Sequence, residues 1–366
     1  MPSLFVLLRF VLPLPWSVTA KILTAIVLLG VSQFHLWSRL SSGSVFTPEM
    51  PRAIVIAFNV GFGAIVLLAV FQLVSDLLRL PALLIGQGGF AVPAGVRYGM
   101  GLVALALAGV GGAQAARVPP VRDVDVTIPG LPAAFNGYTM VQLTDLHISR
   151  LFPARWTEAV VTRTNSLNPD LIVITGDFID GSIAMRRADV APLARLRATD
   201  GVLAIPGNHE YFFEYDGWMQ HLAGLGMRML PNAHAVLTRG DGQLVIAGVT
   251  DLSARATGHP APDLAKALAG APVGAPIILL DHQPRMARTA AARGVALQLS
   301  GHTHGGMIVG LDRIVARANA GFVSGRYAVD GMTLYVNNGT GLWPGFALRL
   351  GVPSELTRIT LRAAQR

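Results

Sequence analysis

The sequence predicts an α/β domain preceded by an all-α transmembrane anchor, and three observations support this fold class. Residues 1–116 of the 366-residue chain contain six basic and two acidic residues, whereas about a quarter of the residues in soluble domains are charged. After residue 124, short apolar runs alternate with helix-like segments, which is typical of α/β architecture. Several of these runs lead directly into Asp, Asn or His. We therefore expect an anchor over residues 1–116 and a second domain over residues 117–366.

The anchor is predicted from three apolar stretches, residues 22–37, 53–74 and 98–116, none of which contains a charged residue. A helix of about 20 residues crosses a bilayer. A fourth stretch, residues 4–16, is interrupted by Arg9 and two prolines, so we expect it to be partial or interfacial. The alternative, buried helices of a soluble core, is disfavoured because the whole region is nearly free of charge. The sequence thus predicts a multi-pass protein of the cell (inner) membrane.

Basic residues near the N-terminus give a weak indication of sidedness. Arg9 and Lys21 favour a cytoplasmic N-terminal region, and three crossings would then place the large domain outside the cytoplasm. The loops near Arg39 and Arg79 carry almost equal basic charge, so this rule barely discriminates between the two orientations. An extracytoplasmic domain is the expectation.

Cysteine content and charge limit the classes of function. The chain has no cysteine, which excludes disulfides, zinc–thiolate sites and cysteine nucleophiles. The formal net charge is +8, and half of this excess lies after residue 116. Such a mild excess predicts a solvated surface near anionic lipid rather than a nucleic-acid groove.

The second domain is predicted to contain strands at residues 138–143, 171–175, 202–205, 244–249, 277–280 and 295–299. Helices are expected at residues 156–166 and 190–197. Five of the strands end in Asp, Asn or His, often beside Gly. Ligands of open α/β sheets gather beyond the carboxyl ends of strands, and Gly lets the backbone approach a ligand closely. The strand ends are therefore the predicted site.

Metal-binding side chains occupy these strand ends. The candidates are Asp145, His147, Asp177, Asn208, His282, His302 and His304. Carboxylate, imidazole and amide oxygen together suit divalent Mn, Fe or Zn. Seven ligands are more than one ion normally takes from a protein. Two ions that share a bridging carboxylate account for this number. Two ions about 3.5–4 Å apart are usual in phosphoryl hydrolysis, so a dinuclear site and a phosphate-ester substrate are predicted.

Five motifs around these residues resemble the signature blocks of the calcineurin-like metallophosphoesterases. They are DLH (145–147), GDFID (176–180), GNHE (207–210), His282 and GHTH (301–304). The resemblance covers about residues 124–361. The segments 301–306 and 349–353 resemble in particular the bacterial branch that carries an N-terminal membrane anchor or export signal. The chain departs from that branch at Met307, where members often have Gln, which puts fine substrate preference in doubt.

The resemblance implies a layered α/β/β/α sandwich and a role for each candidate. Asp145, His147 and His304 would hold the first metal, and Asp177 would bridge. The second metal would be held by Asn208, His282 and His302. His209 would be catalytic, facing the phosphate, and Asp180 would orient it, whereas Glu210 would orient a ligand or solvate the loop. Three further histidines of the second domain lie outside the motifs and are given no role: His221, His234 and His259.

The predicted function is metal-dependent hydrolysis of phosphate esters, as a phosphodiesterase or phosphatase. Membrane attachment favours a membrane or envelope phospholipid, or a lipid-linked nucleotide, as substrate. An aromatic loop at residues 210–218 either contacts an acyl chain or base, or packs over the site. Two alternatives are a nuclease-type phosphodiesterase and a non-enzymatic membrane sensor or transporter with a metal-binding domain. The absence of a long basic tract with interleaved aromatics ranks the nuclease lower, and no nucleic-acid partner is expected.

Overall fold

The computed structural model describes residues 2–84 and 92–364, and its chain forms two compact units. One unit comprises Met1–Ala115 together with Pro344–Leu350, and the other comprises Ala116–Trp343 together with Gly351–Arg366. We call them the helical unit and the sheet unit. The segment Pro344–Leu350 groups with the helical unit, although the sequence-based boundary at residues 116 and 117 assigns it to the second domain.

The described part of the helical unit contains five α-helices. They are α1 Pro2–Val6, which continues as a π-helical turn Leu7–Val11, α2 Val18–Ser32, α3 Phe34–Ser42, α4 Arg52–Leu84 and α5 Ala94–Ala116. By length and apolar composition α4 and α5 could cross a membrane, and α2 and α3, which meet at a bend of 53°, would add a third crossing if they form one span. The predicted stretch 22–37 is thus broken at Gln33, the residue between these two helices.

The segment Pro344–Leu350 is bound by hydrogen bonds to α4. Asn59 is 3% exposed, and its Nδ2 donates to the carbonyl of Pro344 at 2.9 Å. Its Oδ1 accepts from the backbone N–H of Ala347 at 2.6 Å. Nothing in the local sequence assigns Asn59 a specific partner. In the structure the side chain of Asn59 forms hydrogen bonds with two backbone groups of the segment Pro344–Leu350, which lies far away in the sequence.

Glycine on α5 allows the same segment to approach the helix closely. The backbone N–H of Arg349 donates to the carbonyl of Gly111 at 3.1 Å. A Cβ added to Gly111 would lie 2.6 Å from the side chain of Leu348, whereas at Gly63 on α4 the corresponding distance is 3.2 Å. Small residues at helix surfaces permit close backbone approach in the same way in membrane bundles.

The described residues of the sheet unit form two six-stranded mixed sheets. The first has the order β1-β12-β2-β3-β4-β5 and the second β10-β11-β9-β8-β7-β6. The strands of the first sheet are β1 Val121–Ile128, β2 Thr139–Leu143, β3 Leu171–Thr175, β4 Val202–Ile205, β5 Arg228–Met229 and β12 Leu356–Ala363. The strands of the second are β6 Ala233–Arg239, β7 Gly242–Gly248, β8 Ile277–Leu280, β9 Leu297–Ser300, β10 Gly325–Val329 and β11 Met332–Val336. The expected two-sheet α/β fold is confirmed.

Seven α-helices accompany these sheets among the described residues. They are α6 Ala154–Asn165, α7 Ile183–Val190, α8 Asn208–Phe212, α9 Tyr215–Gly224, α10 Leu264–Leu268, α11 Ala287–Ala292 and α12 Asp312–Ala318. The helix predicted at residues 156–166 corresponds to α6. The one predicted at residues 190–197 is wrong, because α7 ends at Val190 and a 3-10 turn, Ala191–Arg195, follows. Pro192 lies in that turn and lacks the N–H needed to continue an α-helix.

The inner faces of the two sheets share one apolar core. On β3, Leu171 and Val173 belong to this core together with Ile246 of β7 and Leu299 of β9. Successive side chains of a strand point to opposite faces, so Ile172 lies on the outer face of the first sheet, where it is also fully buried. Burial on both faces explains why β3 reads as a continuous apolar run rather than an alternating one.

Parallel pairing brings the predicted site residues to common sheet edges. In the first sheet β2 pairs in parallel with β3, and β3 with β4. In the second sheet β8 pairs in parallel with β9. Each of these five strands ends within three residues of a candidate metal ligand. The fold therefore gathers the candidates at the carboxyl ends of two neighbouring groups of strands.

Candidate metal centre

Five of the seven candidate ligands have a backbone conformation in the left-handed region. Positive φ angles occur at Asp145 (51°), His147 (45°), Asp177 (54°), His302 (69°) and His304 (49°). Side chains other than Gly seldom adopt this region, which costs free energy that the surrounding structure must offset, and such residues cluster at functional sites. The strand-end loops thus turn sharply to aim these side chains toward each other.

Glycines beside the ligands permit the loops to interlock. A Cβ at Gly176 would lie 2.4 Å from the backbone nitrogen of Gly207, and one at Gly207 would lie 2.2 Å from Oδ1 of Asp177. Likewise a Cβ at Gly301 would lie 2.2 Å from Oδ2 of Asp145. These contacts are too short for any other residue, so the Gly that precedes three of the motif residues is required by packing.

One group of candidates consists of Asp145, His147 and His304. The Nε2 atoms of the two imidazoles lie 3.2 Å apart. Oδ1 of Asp145 lies 3.6 Å from Nε2 of His304 and 3.9 Å from Nε2 of His147. Asp145 and His147 are fully buried. Three ligand atoms from two strand ends therefore surround one point.

A second group consists of Asn208, His282 and His302. Oδ1 of Asn208 lies 3.0 Å from Nε2 of His282 and 2.8 Å from Nδ1 of His302. Asp177 joins this group, because its Oδ2 lies 3.3 Å from Nε2 of His282. The same Oδ2 lies 3.6 Å from Nε2 of His147 in the first group. The structure thus brings all seven candidates together and places Asp177 between the two groups.

The donor set fits two divalent cations. His282 directs Nδ1 at the carbonyl of Thr175, 2.7 Å away, so its Nε2 carries the lone pair that faces the oxygens of Asp177 and Asn208. Converging lone pairs repel each other unless a cation lies between them. Metal–ligand bonds of about 2.0–2.2 Å place neighbouring ligand atoms roughly 3 Å apart, which matches these separations. Imidazole, carboxylate and amide oxygen suit Mn, Fe or Zn without selecting one.

Asp180 orients two imidazoles at once. Its Oδ2 lies 3.1 Å from Nδ1 of His147, and its Oδ1 lies 2.5 Å from Nδ1 of His209. Burial alone would raise the pKa of Asp180, but the two imidazoles lower it below its ordinary value. Carboxylates that fix the tautomer of a ligand histidine commonly adjoin metal sites. The motif resemblance leads us to expect that Asp180 orients His209, and the contact with His147 is additional.

Glu210 organises the backbone of the site. Its carboxylate accepts N–H hydrogen bonds from Gly207 (2.7 Å), Asp177 (3.0 Å) and Phe178 (2.8 Å). It is fully buried, and burial together with nearby Asp177 raises its pKa to about 7. Glu210 is the third residue of α8, and its bond from the N–H of Gly207 is one half of a capping box. Gly207 has no side chain that could supply the other half. Of the two expectations for Glu210, solvation of the loop is wrong.

His209 lies beside both metal groups. Its Nε2 is 4.0 Å from Oδ2 of Asp177, and the residue is 7% exposed. Burial lowers the pKa of His209, but the carboxylates of Asp177 and Asp180 outweigh it and raise the pKa to about 9. With Nδ1 held by Asp180, the protonated ring offers its Nε2–H as a donor next to the clusters.

The aromatic loop at residues 210–218 is mostly packed. Trp218 is fully buried and donates its indole N–H to the carbonyl of Gly181 at 3.1 Å. Tyr211 is buried and stacks on Tyr215 at 4.3 Å between ring centroids. Phe212 differs, because it is 44% exposed and its ring centroid lies 5.2 Å from that of His209. Phe212 is thus an exposed aromatic of this loop beside the candidate site.

The three histidines of the sheet unit that lie outside the motifs have structural contacts. His259 packs against Tyr215 with 4.4 Å between ring centroids. His234 lies with Nδ1 2.7 Å from the carbonyl of Ala267, and His221 packs on Trp218. All three lie outside the metal-ligand groups that the described residues form.

Comparison with known proteins identifies the family. The profile of the calcineurin-like phosphoesterase family matches residues 138–306. A "transmembrane protein with metallophosphoesterase domain" from Danio rerio is 35% identical over 272 residues, which cover 72% of this chain and 62% of that protein. An uncharacterized metallophosphoesterase of Bacillus subtilis, YkuE, is 32% identical over 241 residues, which cover 64% of this chain and 82% of that protein.

A structural comparison gives lower similarity. The calcineurin-like phosphoesterase YfkN from Bacillus subtilis has a TM-score of 0.38 and 15% identity, over 56% of this chain and 82% of that one. The chain spans less than two thirds of the length of the Danio rerio and Bos taurus transmembrane relatives, 62% in each case. The profile match and the similarity to YkuE, of which the chain covers 82%, show that this chain belongs to the calcineurin-like metallophosphoesterase family.

Proposed function

We propose that this protein hydrolyses phosphate esters at a dinuclear metal site. The observation that carries the proposal is the pair of ligand groups that share Asp177, with His209 beside them. In this assignment Asp145, His147 and His304 would hold the first ion, and Asn208, His282 and His302 would hold the second. Asp177 would serve both ions. When bound, such ions activate a water molecule and neutralise the charge on the phosphate oxygens.

The remaining residues supply binding and proton transfer. Nε2 of His209 donates a hydrogen bond to a phosphate oxygen and gives its proton to the leaving oxygen. Asp180 keeps the ring in the tautomer and orientation that this donation needs, through its contact with Nδ1. Glu210 holds the backbone of Asp177, so that the bridging carboxylate stays in place.

The test uses the full chain in detergent, stripped of metal and then titrated with Mn, Fe or Zn. A generic phosphodiester and a phosphomonoester serve as substrates. We expect metal to restore hydrolysis and Asn208→Ala to abolish it, whereas His221→Asn, outside the site, leaves it unchanged. Full hydrolytic activity of the Asn208→Ala protein would contradict the proposal. DNA among the substrates, with a steep dependence on salt, would favour the nuclease alternative.

We propose further that the substrate carries an apolar group, as a membrane or envelope phospholipid or a lipid-linked nucleotide does. The support comes from the exposed ring of Phe212 beside His209 and from the apolar helices of the chain. Phe212→Ala should raise the KM for an acylated phosphodiester and leave a water-soluble one unchanged. Phe213→Ala is the neighbouring control. Equal effects of Phe212→Ala on both substrates would contradict a lipid-like substrate.

For the whole chain we propose a multi-pass inner-membrane protein, with an anchor at residues 1–116 and an extracytoplasmic catalytic domain at residues 117–366. Arg9 and Lys21 support a cytoplasmic N-terminal region. The chain lacks cysteine, so a single Asp241→Cys substitution creates a unique label site. An impermeant maleimide should label this variant in intact cells. Labelling only after lysis would reverse the proposed orientation.

A further inference from the structure

Charged side chains from separate elements of the helical unit converge on Asp76 in α4. Arg9, from the turn Leu7–Val11, binds this carboxylate through Nε at 3.0 Å and Nη2 at 2.8 Å. Nη1 of Arg79, one turn further along α4, lies 4.0 Å from Oδ1 of Asp76. Two guanidinium groups thus meet one carboxylate.

Arg97 brings a third guanidinium from α5. It is 7% exposed, and its Nη1 donates to the carbonyl of Arg9 at 2.6 Å and faces Oε1 of Gln72 at 3.5 Å. Gln72 in turn donates to Oδ1 of Asp76 at 2.9 Å. We call Arg9, Arg79 and Arg97 with Asp76 and Gln72 the arginine cluster.

The arginine cluster has an excess of positive charge that the helical unit cannot neutralise. Residues 1–116 and 344–350 contain only two acidic residues, Glu49 and Asp76. Glu49 precedes α4, whereas Asp76 lies 24 residues beyond the first residue of that helix, or about 36 Å along it at a rise of 1.5 Å per residue. Glu49 is therefore at the opposite end. The cluster thus contains three guanidinium groups and one carboxylate, a formal excess of two positive charges among its own residues.

The surroundings of the cluster resemble a membrane–water boundary. Next to Arg97, the hydroxyl of Tyr98 accepts a hydrogen bond from the indole N–H of Trp16 at 3.1 Å, and Trp and Tyr are enriched at this depth of a bilayer. On α4, Leu77 and Leu78 flank the cluster and are 57% and 75% exposed. Cationic donors lie beside uncovered aliphatic surface, which matches the phosphate and the acyl chains of a lipid.

We propose that the arginine cluster binds the phosphate of an anionic phospholipid. A guanidinium group can bind two phosphate oxygens at once, and a lipid with a net negative charge offsets the positive excess among the residues of the cluster. A zwitterionic lipid carries its own positive charge, so it neutralises less of the positive charge of the arginine cluster. The proposal is independent of the phosphoesterase site, since it rests on the helical unit alone.

The test uses the full chain in detergent micelles, to which phosphatidylglycerol, phosphatidylcholine or water-soluble glycerol phosphate is added. The readout is the amount of lipid bound, measured by mass spectrometry of the intact complex, with the thermal shift as a second measure. Phosphatidylglycerol should bind most tightly. Arg97→Gln should weaken it by about fivefold, as expected for one basic residue, and Arg39→Gln, an exposed arginine on α3, should not.

A substitution of the acidic residue separates lipid binding from a purely structural ion pair. Asp76→Asn raises the net charge, so phosphatidylglycerol should bind as tightly as before or more tightly, even if the melting temperature falls. If Arg97→Gln does not fold, Arg79→Gln replaces it with the same expected loss. Equal binding of the two phospholipids, equal binding of glycerol phosphate, or an unchanged affinity in the arginine variant would each overturn the proposal.

Discussion

At the residue scale, the site depends on buried carboxylates that hold other groups in place. Asp180 contacts two imidazoles, and Glu210 contacts three backbone N–H groups. The motifs predicted which side chains gather, because Asp, Asn and His residues that follow strands and adjoin Gly are typical of metal ligands. They did not predict that Asp180 contacts His147, since this depends on loop geometry that local sequence does not encode.

Replacing Asp180 with Asn removes the negative charge that keeps both imidazoles oriented. Loss of such a partner typically costs 10–100-fold in metal affinity or activity, so we expect Asp180→Asn to lower kcat or metal affinity by about that factor. Metal content by elemental analysis, together with kcat, checks it. Asp216→Asn, whose side chain is 90% exposed, is the control. A variant with unchanged kcat and metal content would show that Asp180 has no positioning role.

Replacing Glu210 with Gln exchanges one acceptor oxygen for an amide that can only donate. Buried N–H groups of the loop then lose an acceptor, which costs about 1–3 kcal/mol of stability. Chemical denaturation of the full chain measures this loss. The same substitution at exposed Glu214, in the same loop, should change the free energy of unfolding by less than about 0.5 kcal/mol. Equal losses in the two variants would contradict the role given to Glu210.

At the element scale, apolar runs predicted six of the described strands, β2, β3, β4, β7, β8 and β9, but not β1, β5, β6, β10, β11 and β12. Two other features depended on information outside the local pattern. The run 190–197 reads as a helix by its apolar spacing, but Pro192 produces a 3-10 turn instead. The segment Pro344–Leu350 carries no local signal for its binding partner. Asn59, which holds it, lies 285 residues before Pro344, and no periodic pattern connects them.

Asn59→Leu leaves the carbonyl of Pro344 and the N–H of Ala347 without their side-chain partner. Hydrogen bonds between elements of membrane bundles contribute about 0.6–1.7 kcal/mol, so we expect the helical unit to lose about 1–2 kcal/mol. Thermal unfolding of the full chain in detergent measures it. Gln33→Leu, at an exposed position between α2 and α3, is the control. A variant as stable as the parent would mean that Asn59 does not stabilise this segment.

Asp170, just before β3, links strands and gives a pH-dependent contribution to stability. It accepts from the N–H and hydroxyl of Thr139 and from Arg239. Burial raises the pKa of Asp170, but these three bonds outweigh it and lower the pKa below its ordinary value. Because the folded-state pKa is depressed, the stabilisation is present above the unfolded-state value and is lost as the pH falls through the folded-state value.

Asp170→Asn should therefore cost about 1 kcal/mol at neutral pH, a figure reduced for partial solvent exposure. The difference between variant and parent should narrow from about pH 4 downward, where unfolded Asp becomes protonated. Denaturation at several pH values checks this. Asp241→Asn, in the exposed turn before β7, should show no such dependence. A difference that persists unchanged at low pH would contradict the charge-based explanation.

At the scale of the whole molecule, composition predicted a division of the chain between residues 116 and 117. The scarcity of charge in residues 1–116 indicated apolar helices. Among the described residues, two helices could cross a membrane by length and composition, or three if the bent pair is one span. Hydropathy placed the end of the second stretch at residue 74, but α4 continues to Leu84. Charged Asp76 and Arg79 interrupt an apolar window without ending a helix, which is why the arginine cluster was not predicted.

The central claim is that Asp177 joins two ligand groups into one dinuclear site. The most direct measurement is the number of divalent ions bound per chain after metal stripping and reloading with Mn, Fe or Zn, with phosphodiester hydrolysis assayed on the same samples. The account predicts two ions and metal-dependent hydrolysis for the parent, and fewer ions with hydrolysis lost for Asp177→Asn. Binding of one ion or none by the folded parent, or full hydrolysis by Asp177→Asn, would contradict it.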